Sequence, residues 1–170
     1  LLVHEPVSAG IERLLRRSAR NVLEEHRLRS SIPTVGRITN AVSRAVRAQY
    51  EENPYPRWLS FDRMPPISTT EWIESEVPGL EAPAEFRAPL RLLVAGCGTG
   101  VEALGLATQI IGVQVMAVDL SLSSLAYAQR MANELGVTNA EFWQADILDL
   151  AKLPDRIDII YCVGVLMAMR

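Results

Sequence analysis

Apolar positions along this chain change their period twice. Ile11, Leu14, Leu15, Val22 and Leu23 recur near helical spacing between Ser8 and about Arg29, which predicts one amphipathic helix. Pro33 and Thr34 are expected to open a second, with Val35, Ile38, Val42, Ala45 and Val46 on one face and Asn53-Pro54 closing it. From 59 to 90 the periodicity is lost. Pro65, Pro66, Pro78, Pro83 and Pro89 stand among acidic residues, reading as an irregular connector with one short helix near Thr70 to Glu76, capped by Ser68 or Thr69. Beyond residue 90 the pattern becomes short apolar runs: Leu92-Leu93-Val94-Ala95, Val115-Met116-Ala117-Val118, Ala140 to Ile147, and Ile157 to Leu166. Strands apolar on both faces belong to a parallel sheet covered on both sides. The chain therefore divides into a helical extension (1–53), a proline-rich connector (54–89) and an α/β core (90–170). No internal repeat of a solenoid type is present.

The candidate chemistry lies where the first two apolar runs end. Ala95-Gly96-Cys97-Gly98-Thr99-Gly100 follows the first run, and Asp119 ends the second about twenty residues on. Glycines let the backbone turn sharply and lie close to a ligand. The helix that follows points its free N–H groups into the same space. A carboxylate at the tip of the neighbouring strand is placed to accept hydrogen bonds from both hydroxyls of a ribose. These features together predict a nucleoside-containing cofactor rather than an empty βα turn. Dinucleotide folds use G-x-G-x-x-G, and the position of that third glycine is Val101 here.

The G-x-G-x-G loop instead resembles motif I of the class I methyltransferases that use S-adenosylmethionine (SAM). Ala140-Glu141-Phe142-Trp143-Gln144-Ala145-Asp146-Ile147 resembles the family's third strand, and Ile157 to Leu166 its fourth strand with the loop that faces methionine and substrate. The resemblance covers roughly residues 88 to 169. It implies a doubly wound, mainly parallel sheet, the first four strands of a seven-stranded core. By the same resemblance Asp146 accepts from the adenine amine, and Leu120 and Ile147 flank the ring. Val94 departs from the acidic residue common two positions before the first glycine. Backbone carbonyls near Gly96 and Val163 are then the expected partners of the methionine amine. Methyl transfer from a sulfonium needs positioning more than activation, and no metal is implied. No general base is identifiable: Asp158 starts the fourth strand, at the wrong end of the sheet, and Asp149 and Asp155 read as loop or cap residues.

Tyr50-Glu51-Glu52-Asn53-Pro54-Tyr55-Pro56-Arg57-Trp58, with Gln49 before it, resembles a stretch found upstream of the core in bacterial methyltransferases, some joined to tetratricopeptide repeats. Two readings stand side by side: a cover over the cofactor mouth that touches substrate, or an aromatic brace between subdomains. Asn53-Pro54-Tyr55 is not the Asn-Pro-Pro-Tyr signature of amino-group methyltransferases, which has two prolines and follows the fourth strand.

Composition narrows the rest. The chain is 49% apolar with a net charge of −3, contains no run of eighteen apolar residues, and shows no signal peptide in its first ten residues, so a soluble cytoplasmic protein without membrane partners is expected. Nine arginines against four glutamates up to Tyr50 alternate around helices and read as a solvated face rather than a nucleic-acid surface. His4 and His26 read as isolated surface residues. Cys97 and Cys162 form neither a zinc site nor a disulfide framework, and Cys97 reads as a small apolar packing residue.

The sequence begins on Leu1-Leu2-Val3 and stops at Arg170 after four strands, so both ends are expected to be cuts through a longer polypeptide. An open fourth-strand edge would leave Ile159, Tyr161 and Val163 to be covered by an oligomer or by further residues. The 170 residues alone are then expected not to methylate the unidentified acceptor. The alternatives are a non-catalytic SAM- or nucleotide-binding or assembly module, and, less favoured, an NAD-linked oxidoreductase.

Overall fold

A computed structural model describes residues 11–12, 15, 19–83, 86, 89–153 and 156–165. His4, Ser8, Leu14, Asp155, Leu166 and the chain ends Leu1-Leu2-Val3 and Arg170 lie outside the described residues. The elements in order are α1 (Asn21–Leu28), a 3-10 turn (Arg29–Ser31), β1 (Thr34–Val35), α2 (Ala41–Glu52), α3 (Thr69–Glu76), β2 (Leu90–Ala95), α4 (Val101–Gln109), β3 (Val113–Asp119), α5 (Leu122–Leu135), β4 (Ala140–Ala145), a second 3-10 segment (Ile147–Lys152) and β5 (Ile159–Tyr161). Five strands form one sheet in the order β1-β4-β3-β2-β5, with every pairing parallel. The chain steps from β2 to β3 to β4, then returns to lay β5 on the far side of β2. That reversal opens a crevice at the carboxyl ends of the strands.

The unbroken apolar runs supply two layers, because successive side chains of a strand face opposite ways. Leu90, Leu92 and Val94 of β2, with Val113, Val115 and Ala117 of β3, face α4 and α5 through Leu104, Leu125 and Ala128. Leu93, Ala95, Met116 and Val118 face the other way, under Leu150, Leu153 and Ile157. The sheet is therefore covered on both faces, and the α/β, mainly parallel fold expected from the sequence is the one observed. No helix among the described residues is long and apolar enough to cross a membrane.

Three expectations need correction. Pro33 and Thr34 do not open a helix. Thr34 and Val35 pair with Gln144 and Ala145 as an added edge strand, and the Pro33 carbonyl accepts from the Gln144 N–H at 2.8 Å. Proline cannot donate to the ladder, but at a strand start it can still accept. The second helix begins at Ala41, where Asn40 caps the Val42 and Ser43 N–H groups at 2.8 and 3.1 Å.

The apolar faces expected for the two N-terminal helices are not the buried ones. Val22, Leu23 and Val42 are 49%, 61% and 50% exposed, whereas Glu25 and Ser43 are buried. On α1 the buried face carries an ion network. The Glu25 carboxylate accepts from Arg57 Nη2 at 2.7 and 2.8 Å and from Arg130 Nε at 2.9 Å, and docking α1 on α5 turns the apolar positions outward.

The fourth anticipated strand is β5, only three residues long. Ile159 and Tyr161 are half-buried against the larger layer, whereas Ile160 and Val163 are each 58% exposed. The short connector helix is as expected: Ser68 and Glu71 form a reciprocal capping box at the start of α3.

Candidate cofactor site

The glycine loop leaves β2 at its carboxyl end, and Gly96, Gly98 and Gly100 all have positive φ (75°, 52° and 83°). They differ in surroundings. A Cβ on Gly96 would lie 2.1 Å from Val165 Cγ2, and one on Gly100 would lie 2.5 Å from Ala128 Cβ. Gly96 thus makes room for the segment after β5, and Gly100 for close packing of the loop on α5. Gly98 is the least crowded of the three: the Tyr55 carbonyl oxygen lies 3.6 Å from its Cβ position, an ordinary van der Waals contact. Such a turn fits close approach by a ligand.

Asp119 closes the loop. The Gly96 and Cys97 N–H groups donate to the Val118 carbonyl at 2.8 and 2.9 Å, and the Gly98 N–H donates to Asp119 Oδ2 at 2.9 Å. Asp119 Oδ1 accepts from the Ser121 N–H at 2.9 Å. An ionised carboxylate offers about four lone-pair sites, so with the N–H groups of Gly98, Ser121 and Leu120 directed at it, capacity remains for a ribose hydroxyl. Burial pushes the Asp119 carboxyl above its ordinary range; N–H donation from Ser121, Gly98 and Leu120 opposes this, and the charge of Glu51 adds to it.

Helix α4 starts at Gly100 without a side-chain cap, whereas Asn40, Ser68 and Ser121 cap the starts of α2, α3 and α5. Its first turn keeps the positive end that favours an anion or a polar ligand group. Ala95 is buried in the second layer. Cys97 is buried beside the main core, where burial and then the Asp119 charge raise its thiol well above the usual range. Thr99 is 1% exposed. Its hydroxyl donates to the Pro56 carbonyl at 2.5 Å, and its own carbonyl accepts from Trp58 Nε1 at 3.0 Å.

Asp146 follows β4 at the same edge. It is buried and accepts from the Leu148 N–H at 3.1 Å, which starts the second 3-10 segment. Leu120 and Ile147 are half-buried nearby. Gln144 Nε2 holds the Leu120 carbonyl at 2.8 Å, tying the tips of β3 and β4 together. Val163 is exposed, and its neighbour Val165 lies on Gly96. The strand tips bearing the glycine loop, Asp119 and Asp146 therefore stand side by side.

Asp158 lies at the opposite edge, where its carboxylate accepts from the Arg91 N–H at 2.9 Å. A cavity of about 210 Å³ opens at that amino-terminal edge too, between Arg91, Gln114, Asn139, Glu141 and Ile157. Among the described residues no group of three or more His, Cys, Asp or Glu side chains is placed to hold a metal ion.

The sequence did not mark Glu51, which lies beside this site on the last turn of α2. Its carboxylate accepts from the Ser123 N–H at 2.8 Å and the Leu122 N–H at 3.3 Å. Its only signal was membership of the Tyr50–Trp58 stretch. That stretch contains an aromatic brace, Trp58 against Phe61 and Tyr127 with ring centroids 5.6 and 5.9 Å apart, and it also touches the glycine loop.

Comparison with known proteins finds similarity to methyltransferases. Residues 88–170 match the family described as a methyltransferase domain. An uncharacterised protein of Synechococcus sp. is 36% identical over 143 residues, 81% of this chain and 34% of that protein. The ubiquinone biosynthesis O-methyltransferase of Leptothrix cholodnii is 34% identical over 93 residues, 54% of this chain and 36% of that enzyme. Among solved structures, PKMT2 from Rickettsia typhi in complex with AdoHcy is 27% identical with a TM-score of 0.46, over 60% of this chain and 21% of that one. The chain thus spans about a third of the length of the two curated relatives. Residues 88–170 are similar to a methyltransferase domain, and the parallel sheet with its flanking helices is a Rossmann-like α/β fold.

Proposed function

We propose that the protein binds S-adenosylmethionine across the carboxyl ends of β2, β3 and β4 and belongs to an enzyme that transfers its methyl group to an acceptor still to be identified. One observation carries the reading: the uncrowded turn at Gly98 and the uncapped start of α4 stand beside a carboxylate, Asp119, that keeps acceptor capacity. Ala95 to Gly100 would line the amino-acid portion, Asp119 would hold the ribose, and Asp146, Leu120 and Ile147 would hold the adenine. Backbone groups near Gly96 and Val163 would meet the methionine amine. The cofactor supplies an activated sulfonium methyl, and the protein's part is to hold donor and acceptor in line.

In this reading residues 1–53 serve as a helical extension, 54–89 as a connector and 90–170 as the cofactor core of a cytoplasmic protein. The Gln49–Trp58 stretch, which resembles one upstream of other bacterial methyltransferase cores, would brace the glycine loop that it touches through Thr99. Titration with S-adenosylhomocysteine and, separately, NADH tests the cofactor. Saturable binding of the first alone is expected; binding of NADH alone would favour a dinucleotide enzyme.

A further inference from the structure

The Tyr50–Trp58 stretch reaches both elements between which the cofactor is proposed to lie. At one end the last turn of α2 meets the start of α5. The Glu51 carboxylate accepts from the Ser123 and Leu122 N–H groups, its backbone carbonyl accepts from the Ser123 hydroxyl at 2.8 Å, and the Tyr50 carbonyl accepts from the Ser121 hydroxyl at 3.0 Å. A carboxylate at a helix start is well placed electrostatically. Arg29 and Arg47, at 3.2 and 3.8 Å, hold it there. Ser121 is also the residue whose N–H donates to Asp119, so the turn that aims Asp119 is gripped by the same stretch.

Farther along, Pro56 and Trp58 bracket Thr99, which sits between Gly98 and Gly100. The Thr99 hydroxyl donates to Pro56, Trp58 Nε1 donates to Thr99, and the Tyr127 hydroxyl donates to the Trp58 carbonyl. Arg57 between them joins Glu25 and lies 4.7 Å over the Tyr127 ring, fixing the stretch to α1 and α5.

We propose that Tyr50–Trp58 is a strap, with Glu51 and Trp58 as positioning residues, that holds the glycine loop and the Asp119 turn in their binding geometry, so that cofactor affinity depends on docking of the helical extension. The inference rests on the cofactor reading above. If docking favours binding, binding must favour docking by the same factor.

The test uses the full 170-residue chain, with S-adenosylhomocysteine as probe. Calorimetry on wild type, Trp58→Phe and Glu51→Gln is expected to show about three- to tenfold weaker binding in each variant, the range for one lost hydrogen bond. Trp58→Phe keeps an aromatic ring against Phe61 and Tyr127, and Glu51→Gln keeps the side chain's shape while turning one of its two acceptor oxygens into a donor, so a folding failure in one leaves the other. Hydrogen exchange on the wild type needs no variant: the ligand is expected to slow exchange of the 50–58 amides at least threefold. A merely structural strap would lower the melting temperature without that ligand-induced protection. Wild-type affinity in the variants, or exchange of 50–58 indifferent to ligand, would overturn the inference alone. A wild type that does not bind the probe would overturn the cofactor reading, and the inference with it.

Discussion

At the scale of single residues, two neighbouring carboxylates are driven apart. Asp119 is raised, chiefly by burial. Glu51 is lowered: burial pushes it up, but donation from Ser123, the charge of Arg29 and the Leu122 N–H outweigh that. The signs differ in consequence. Asp119 binds its proton more tightly folded than unfolded, so its contribution to stability falls as pH rises from the ordinary carboxylate value through the raised one. A ribose contact needs the ionised form, so affinity for S-adenosylhomocysteine should rise over the same window. Glu51 contributes stability that is present above its unfolded value and is lost as pH falls through its lowered folded value. On acidification binding should therefore fail before the strap loses its charge. A calorimetric pH series should show affinity dropping from above the ordinary carboxylate range, and Asp119→Asn should flatten that drop. Asp119→Ala should cost about 1.5–3 kcal/mol of binding, the range for hydrogen bonds to a charged group. Asp146→Asn, which keeps an acceptor oxygen, should weaken binding less than Asp146→Ala. Equal losses would count against the adenine placement.

At the scale of elements, the three glycines separate packing from binding. Gly100→Ala meets Ala128 at 2.5 Å and must also hold φ at 83°, so about 1–3 kcal/mol of stability should be lost in urea unfolding. Gly98→Ala meets only an ordinary contact with the Tyr55 carbonyl oxygen, though it too must hold a positive φ of 52°, so it should cost less stability than Gly100→Ala while lowering affinity. The spacing of the glycines was legible in the sequence, but their different neighbours were not, because Ala128 and Val165 come from distant elements. The buried strands were legible for a related reason: β2 and β3 are covered on both faces, so their runs are unbroken. Thr34-Val35 is too short to carry a period, and its pairing with Gln144-Ala145 is fixed only by tertiary register. The faces of α1 and α2 were misread because polar contacts decide which side docks: Glu25 with Arg57 and Arg130 for α1, and Tyr50 and Glu51 with Ser121 and Ser123 for α2.

At the scale of the whole molecule, the N-terminal helices, the strap and the sheet meet at one edge of the fold. The opposite flank is different in kind. Among the described residues β5 pairs only with β2, and Ile160 is 58% exposed beside that unpaired edge. Such an edge invites pairing with another chain, so light scattering on the 170-residue chain should show association that grows with concentration. A monomer at all concentrations would contradict this. The central claim, a SAM site at the carboxyl ends of β2 to β4, is tested most directly by a crystal structure of the complex with S-adenosylhomocysteine. The ribose is expected within hydrogen-bond distance of Asp119, adenine beside Asp146, and the amino-acid portion over Gly98. Adenosine bound instead in the cavity between Arg91, Asn139 and Glu141, at the amino-terminal edge of the sheet, would contradict it.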